Sequence, residues 1–348
     1  MNKIKIVFLI FITISALSCA QVKNDTLYIA HWNLENLFDT IDDPKTIDEE
    51  FLPSAAIEWT QERLDKKLYN LSRVIRSMNN NDGPDILGVC EVEHQALLDT
   101  MINKYLSDKS LAIAYLESPD ARGIDNGLLY NKNKFSLLSV NGLHINLDSA
   151  GETRLILFVK LLFDKRDTLN VFVNHWPSRR GGETESEWRR IRAAQTLRKT
   201  VDELFSSNKK SNIIIVGDFN DEPTNISITE NLKAAPILCD SLNHINFAED
   251  TKTDLFNLAY KKYSQGEGSF FYKDNFNMLD QIIISKNLLV GNDIEYLCNS
   301  FEIYKPDFMV THSGKFKGAP FPTYGSRRYL GGYSDHFPVI AKFRLLKK

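Results

Sequence analysis

The stretch Ile213-Ile214-Ile215-Val216-Gly217-Asp218-Phe219-Asn220-Asp221-Glu222-Pro223 constrains this chain more than any other. Four consecutive apolar residues, three of them isoleucine, read as a strand buried on both faces, which needs a layer of structure above and below it. At its carboxyl end the chain turns polar within one residue: Gly217, then Asp218, Asn220 and Asp221 around Phe219, then Pro223. A rigid strand that delivers carboxylate and carboxamide groups to the rim of a sheet is where α/β proteins place their chemistry. Gly, Asp, Asn and Pro are also ordinary turn residues, so this segment alone leaves a catalytic rim and a plain polar turn equally open.

Composition excludes several classes. With 348 residues, 43% hydrophobic and 25% charged, the chain is neither collagenous nor of low complexity nor disordered. There are 42 basic and 45 acidic residues, and losing Lys3 and Lys5 with a leader takes the formal charge from −3 to −5. No general affinity for nucleic acid follows from that balance, although a local basic patch can still meet a polyanion. At the N-terminus Lys3 and Lys5 precede the apolar run Ile6 to Ile14, then small residues and Cys19-Ala20. This order is that of a secretory leader, expected over residues 1–20, and the run is too short to span a bilayer. Cleavage before Cys19 would leave a lipoprotein anchored to the membrane only through that residue; cleavage after Ala20 would free a soluble protein. The reading leans to the lipoprotein. Either way an exported protein is expected (periplasmic, outer-membrane-anchored or secreted), with residues 21–348 as one domain and a monomer. In that compartment Cys239 and Cys298 are able to pair, which the sequence leaves open. Cys90 sits in an apolar run as a small buried hydrophobe.

Along the chain, Leu27 to Trp32 reads as a first strand, ending at Asn33-Leu34-Glu35-Asn36. The acidic stretch Asp39 to Pro53 follows as a solvated loop, with a calcium site the less favoured alternative. Leu64, Leu68, Leu71, Val74 and Met78 mark one face of a helix. Strands are expected at Asp85 to Val92, Gly127 to Tyr130, Leu155 to Phe163, Leu169 to Val173, Met278 to Ile284 and Val339 to Phe343. Ile191, Ala194, Leu197, Val201 and Leu204 mark a second helix, and His312 to Tyr333 is an aromatic loop, with Asp221 a turn residue. Some strand pairs have connections too short for a helix, so a mixed sheet system with outer helices is expected.

Polar residues recur where these strands end: Asn33, Glu35, Glu91, His175, Asp218, Asn220, Asp280, Asp335 and His336. Each has a plain alternative as a cap, an edge charge or a loop residue. Asp280 is the hardest to dismiss, because an acid beside Leu279 and Ile282 to Ile284 is costly to bury without a partner. His336 is the matching partner type, since a carboxylate orients an imidazole and stabilises its protonated form.

The motifs WNLENLFD, GVCEVE, NHWPSRR, GDFNDEP, LDQIIIS and YSDHFPV occur in the order seen in the endonuclease/exonuclease/phosphatase superfamily, and the chain resembles it over nearly all of its mature length. The resemblance implies a four-layer α/β sandwich, two packed mixed β-sheets flanked by helices, of the DNase I-like kind. It implies a phosphoesterase using Mg²⁺ or Mn²⁺, with Glu91 as the principal ligand and Asn33, Glu35 and Asp335 beside it, an all-oxygen set suited to such a cation. His336 oriented by Asp280 would act as base or phosphate-stabilising imidazole, Asp218 would handle the attacking water or the leaving oxygen, and His175 and Asn220 would hold non-bridging oxygens. Among phosphate esters, nucleic acid is the first expectation. Arg179 and Arg180, with Arg189, Arg190 and Arg192 nearby, and Arg327 with Arg328 are placed to meet phosphates. Asn126 is expected to join Arg179, Arg180 and Arg327 at the substrate. A small-molecule or lipid-headgroup phosphatase is the alternative, with Phe321, Tyr324 and Tyr329 walling a pocket. No exposed apolar hairpin of the membrane-binding type is expected, and a non-catalytic binding protein is the least favoured reading.

Overall fold

A computed structural model of the chain describes residues 26–148, 151–163, 167–237, 239, 253–291 and 293–346. The expected leader and Cys19 lie outside the described residues. The strands in chain order begin with β1 (Thr26–Leu37), β2 (Ile86–Val92), β3 (Leu111–Tyr115), β4 (Asp125–Asn131), β5 (Phe135–Leu143) and β6 (Ile156–Phe163). They continue with β7 (Asp167–His175), β8 (Asn212–Asp218), β9 (Ala234–Pro236), β10 (Leu255–Asn257), β11 (Phe270–Tyr272) and β12 (Asn275–Asn277). The last are β13 (Asp280–Ser285), β14 (Ile294–Tyr296), β15 (Glu302–Ile303), β16 (Tyr324–Gly325), β17 (Arg328–Tyr329) and β18 (Val339–Leu345). The α-helices are α1 (Gln61–Ser77), α2 (Gln95–Tyr105), α3 (Glu183–Ser207) and the short α4 (Tyr260–Ser264).

Two seven-stranded mixed sheets result. One runs β14-β18-β1-β2-β4-β3 with β15 also on β18; the other runs β5-β6-β7-β8-β13-β10-β9. The central pairs β1–β2 and β7–β8 are parallel, and their other neighbours β18, β4, β6 and β13 are antiparallel. Strand β8 shows why four layers form. Ile213 and Ile215 pack with Ala193, Ala194, Leu197 and Val201 of α3, while Ile214 and Val216 face the core between the sheets. Each fully buried isoleucine contributes about 1.5–3 kcal/mol of transfer free energy, so both covering layers are stabilised by the one strand. The sheets lie close together at Gly88 of β2, where an added Cβ would lie 2.5 Å from Val216 Cγ2. On the far side α1 and α2 cover the first sheet with Leu64, Leu68, Leu71, Val74, Leu98 and Met101.

The expected strand and helix positions agree with the structure, whereas α2, α4, β3, β5, β9 to β12 and β14 to β17 were not foreseen. Two residues of the polar segments behave differently from expectation. Asp221 is no turn residue: it is fully buried, 2.6 Å from Arg190 Nε and accepting from Ser227 Oγ at 2.6 Å. Arg190, expected on a solvated face or at substrate, is fully buried too and donates to Ser186 Oγ and the Glu183 carbonyl. The pair clips α3 to the end of β8. Most of the Asp39–Pro53 loop is exposed or half-buried, but Asp48 is buried and accepts from the Asp43 amide. Cys239 and Cys298 form a disulfide, which answers the pairing the sequence left open. Among the described residues no helix is long and apolar enough to cross a membrane.

Candidate active site

The polar strand ends converge. In the second sheet His175, Asp218 and Asp280 stand opposite one another on the adjacent strands β7, β8 and β13. In the first sheet Asn33 pairs across to Cys90, one residue before Glu91, and both β1 and β2 lose register just there. The irregularity has a conformational signature: Glu35, Asn36, Glu91 and Asn220 all take positive φ, at 54°, 48°, 62° and 50°. Such conformations cost roughly 1–3 kcal/mol each and persist where surrounding structure over-determines them, a pattern concentrated at functional sites. Here the breaks in pleat re-aim side chains as bulges do: Glu91 Oε1 comes within 3.7 Å of His175 of the opposing sheet, while the Glu35 carboxylate turns to Lys67 and the Thr323 and Tyr324 amides. Gly217 is required for a related reason. A Cβ there would lie 2.5 Å from the Asn174 carbonyl of β7, so only glycine permits this approach beside Asp218.

Hydrogen bonds join the two sheets. The Asn33 amide donates to Glu91 Oε1 at 3.2 Å and Asp218 Oδ2 at 3.1 Å, and its oxygen accepts from the Glu35 amide at 2.9 Å. Glu91 Oε2 accepts from the Asn36 amide at 2.8 Å. His336 Nδ1 meets Asp280 Oδ2 at 2.7 Å, and Ser269 Oγ donates to the same oxygen at 2.5 Å. On the other face His336 Nε2 lies 3.9 Å from Asp218 Oδ2. His175 Nε2 is 3.7 Å from Glu91 Oε1 and 4.0 Å from Asp218 Oδ2. The His336 carbonyl accepts from the Trp32 indole and its amide donates to Ser334 Oγ, which in turn donates to the Asn33 carbonyl.

Charges are set by these surroundings. Burial alone would lower the His336 imidazole, but the Asp280, Asp335 and Asp218 carboxylates outweigh it and hold it well above its usual value. Burial works against Asp280 ionising, yet His336 and His31 hold its carboxyl below the usual carboxylate range. Burial raises Asp218, His336 opposing. His175 is pushed well below the usual imidazole value by burial, with the Arg154 and Arg122 charges adding, and is neutral. One imidazolium, one neutral imidazole and one carboxyl with raised proton affinity therefore face the same space.

A second cluster lies beside this one. Burial pushes Asp335 up to about 7, His336 acting against the rise and Glu35 and Glu91 adding to it. Three carboxylates crowded this way, with oxygen donors only, are a donor set that suits a hard divalent cation. Asp218, Asp280 and His336 also bring ligand atoms within 4.8 Å of one another. Asp280, however, is already committed to His336 and Ser269, so the Glu91 and Asp335 side fits a cation better.

The remaining expectations divide. Arg179 donates from Nε to the Asn220 carbonyl at 2.7 Å and lies 3.7 Å from Asp221, so it braces the loop after β8. Asn220 donates its amide to the Trp176 carbonyl and its backbone N–H to Asp218 Oδ1. Asn126 is buried opposite Cys90, donating to the Leu155 carbonyl while its own oxygen has no partner. Arg180 and Arg327 are solvent-exposed. Tyr324 and Tyr329 meet edge to face, Tyr324 also lies tilted against Trp59 and Tyr329 lies under Arg63, which packs that part of the aromatic loop onto α1 instead of walling a pocket. The hairpin β11–β12, not foreseen, carries exposed Tyr272 and Phe276 at its sides and Lys273-Asp274 at its tip. Sequence reasoning also missed His31, whose Nε2 is 3.3 Å from Asp280 Oδ1, Phe270 stacked on His336, and Lys67. Lys67 carried a signal: it interrupts the apolar stripe of α1 between Leu64 and Leu71.

Fold and site together define a phosphoesterase: the chain belongs to the endonuclease/exonuclease/phosphatase family, whose sequence pattern matches residues 28–345. Members of that superfamily are hydrolases acting on phosphoester bonds and are typically metal-dependent. Among solved structures, the chain is similar to the catalytic domain of human Nocturnin with bound sulfate anion (18% identity, 92% of this chain and 95% of that one, TM-score 0.53). It is also similar to a mannosyl-6-phosphatase of Bacteroides thetaiotaomicron (15% identity, 91% and 99%, TM-score 0.56) and to a truncated TDP2 of Caenorhabditis elegans (14% identity, 92% and 97%, TM-score 0.54). At these identities the likeness is one of fold. No curated protein sequence matches the chain.

Proposed function

We propose that the protein is an exported, Mg²⁺- or Mn²⁺-dependent nuclease that hydrolyses phosphodiester bonds by direct attack of water. The observation that carries the nucleic-acid reading is an aromatic ladder leading away from His336. Phe270 stacks on the imidazole at 4.6 Å between centroids and 25°, and Tyr272 lies near-parallel to Phe270 at 6.2 Å and 14°. Tyr272 is 56% exposed, and Lys273 sits 5.3 Å from its ring. Exposed aromatic faces with neighbouring cations are how single strands are held, at roughly 1–3 kcal/mol per stacked base. Export is supported by the leader-like N-terminus and by the Cys239–Cys298 disulfide, which persists in oxidising compartments.

The chain's own residues supply most of the chemistry. Asp218, fixed by Asn33 and the Asn220 amide, accepts the proton of the attacking water. His336, charged and oriented by Asp280, donates from Nε2 to a non-bridging phosphoryl oxygen, and His175, held neutral, donates to another. A divalent cation held by Glu91 and Asp335, with Asn33 beside them, would act as Lewis acid on the phosphoryl group.

The test is a substrate panel on the purified mature protein with Mn²⁺, Mg²⁺ or EDTA: single- and double-stranded DNA, RNA, bis-p-nitrophenyl phosphate and sugar monophosphates. Cation-dependent cleavage of the nucleic acids is expected. Tyr272→Ala should raise the KM for single-stranded DNA by about 5–150-fold, the 1–3 kcal/mol of one stacked base, and leave bis-p-nitrophenyl phosphate turnover unchanged. Hydrolysis of monoesters alone would overturn the nuclease reading in favour of a small-molecule phosphatase.

A further inference from the structure

Lys67 is a cation buried in the core. It is 1% exposed, on the face of α1 that also buries Leu64, Leu68 and Leu71. An ammonium has three N–H donors, and all three are used: Nζ lies 2.8 Å from the Glu35 carbonyl, 2.6 Å from Thr323 Oγ1 and 3.4 Å from Glu35 Oε2. Glu35 is equally committed. Its Oε2 also accepts from the Thr323 amide at 2.7 Å, and its Oε1 from the Tyr324 amide at 3.2 Å. Burial lowers the Lys67 ammonium from its usual value, and the carboxylates of Glu35, Asp335 and Glu91 that face it oppose that fall.

We infer that the Lys67 ammonium is a built-in cation that takes the place of a second metal ion, so that the protein holds one divalent ion and Glu35 pairs with lysine instead of ligating metal. The inference rests on Glu91 and Asp335 being the metal side of the site. The charge count supports it: the Glu35, Glu91 and Asp335 carboxylates are balanced by one ammonium and one divalent ion. The hydrogen bonds support it as well: Glu35 Oε2 accepts from both the Lys67 ammonium and the Thr323 amide and Oε1 from the Tyr324 amide, whereas the Glu91 oxygens accept from the uncharged Asn33 and Asn36 amides and the carboxylate stays part-exposed, facing the neutral His175. Lys67 is thus a positioning residue. It ties α1 and the end of β1 to the Thr323–Tyr324 segment, and it limits how much positive charge the acids can recruit.

The experiment is Mn²⁺ binding to the metal-free mature protein, by isothermal titration and electron paramagnetic resonance, with thermal melting of the metal-free chains alongside. Wild type should bind one equivalent. Lys67→Met, which removes the charge and keeps the volume, should bind a second equivalent whose spin couples to the first. The double variant Lys67→Met with Glu35→Gln restores the net charge and should return to one equivalent, with a Kd within about threefold of wild type. Two equivalents in wild type, a single uncoupled ion in Lys67→Met, or a tenfold weaker Kd in the double variant would each overturn the inference while keeping the metal site. No binding to wild type would overturn the metal reading itself. Should Lys67→Met not fold, the wild-type stoichiometry and the double variant still decide.

Discussion

At the scale of single residues, function rests on small differences between chemically similar groups. Asp218 and Asp280 face each other across β8 and β13, yet burial raises one and two imidazoles depress the other. In the proposed mechanism that separation makes Asp280 the orienting carboxylate and Asp218 the one that transfers the proton. Asp218→Asn and His336→Ala should each lower turnover by about 10²–10⁴-fold, the usual worth of a positioned acid or base, with melting temperature near wild type. Wild-type kcat in either would remove that residue from the mechanism. Asp125 offers a stability test away from the chemistry. Burial pushes its carboxyl up to about 8, despite hydrogen bonds from Ser118 and Tyr115. A carboxyl with a raised folded value keeps its proton in the native state where the unfolded chain has lost it, so stability falls as pH rises from about 4 to about 8. Asp125→Asn should flatten the melting-temperature profile over that window; an unchanged slope would count against this origin.

At the scale of elements, the loop after β8 owes its shape to α3. Arg190 and Asp221 are both fully buried and paired at 2.6 Å, with Arg179 holding the Asn220 carbonyl alongside. Removing one partner strands a charge in the core, so Asp221→Ala should cost about 3–5 kcal/mol in urea unfolding. Asp221→Ala combined with Arg190→Met should recover most of it, because replacing both members of a buried pair is commonly close to neutral. A double variant as unstable as the single one would show the loss lies elsewhere. The arginines after His175 had suggested phosphate contacts, and a linear pattern could not separate them: an arginine that faces solvent and one that bridges helix and loop differ only in what the fold packs against them.

At the scale of the whole molecule, the site exists because two sheets pack face to face over one core and their strand ends meet at its rim. Asn33 and Glu91 come from one, His175, Asp218 and Asp280 from the other, and His336 from the segment leading into β18. The disulfide closes a separation of 59 residues between them. Cys298→Ala should lower stability by about 4 kcal/mol on the chain-entropy account, read as a lower denaturant midpoint under oxidising conditions that vanishes when wild type is reduced. No difference under oxidising conditions would mean the bond does not form in solution.

The sequence by itself determined the covered strands, the amphipathic helices, the order of the motifs and the polar strand ends, because periodicity and abrupt changes of polarity are written locally. It also singled out Asp280, since a lone acid in an apolar run demands a partner. Only the tertiary structure decided which polar residues share a space and which serve the frame. Asp221 and Arg190 became a core clip, Tyr324 and Tyr329 a brace on α1, and His31, Phe270 and Lys67 neighbours of the site. Those roles depend on contacts between residues tens to hundreds of positions apart, whose energies come from burial and pairing that no local pattern encodes.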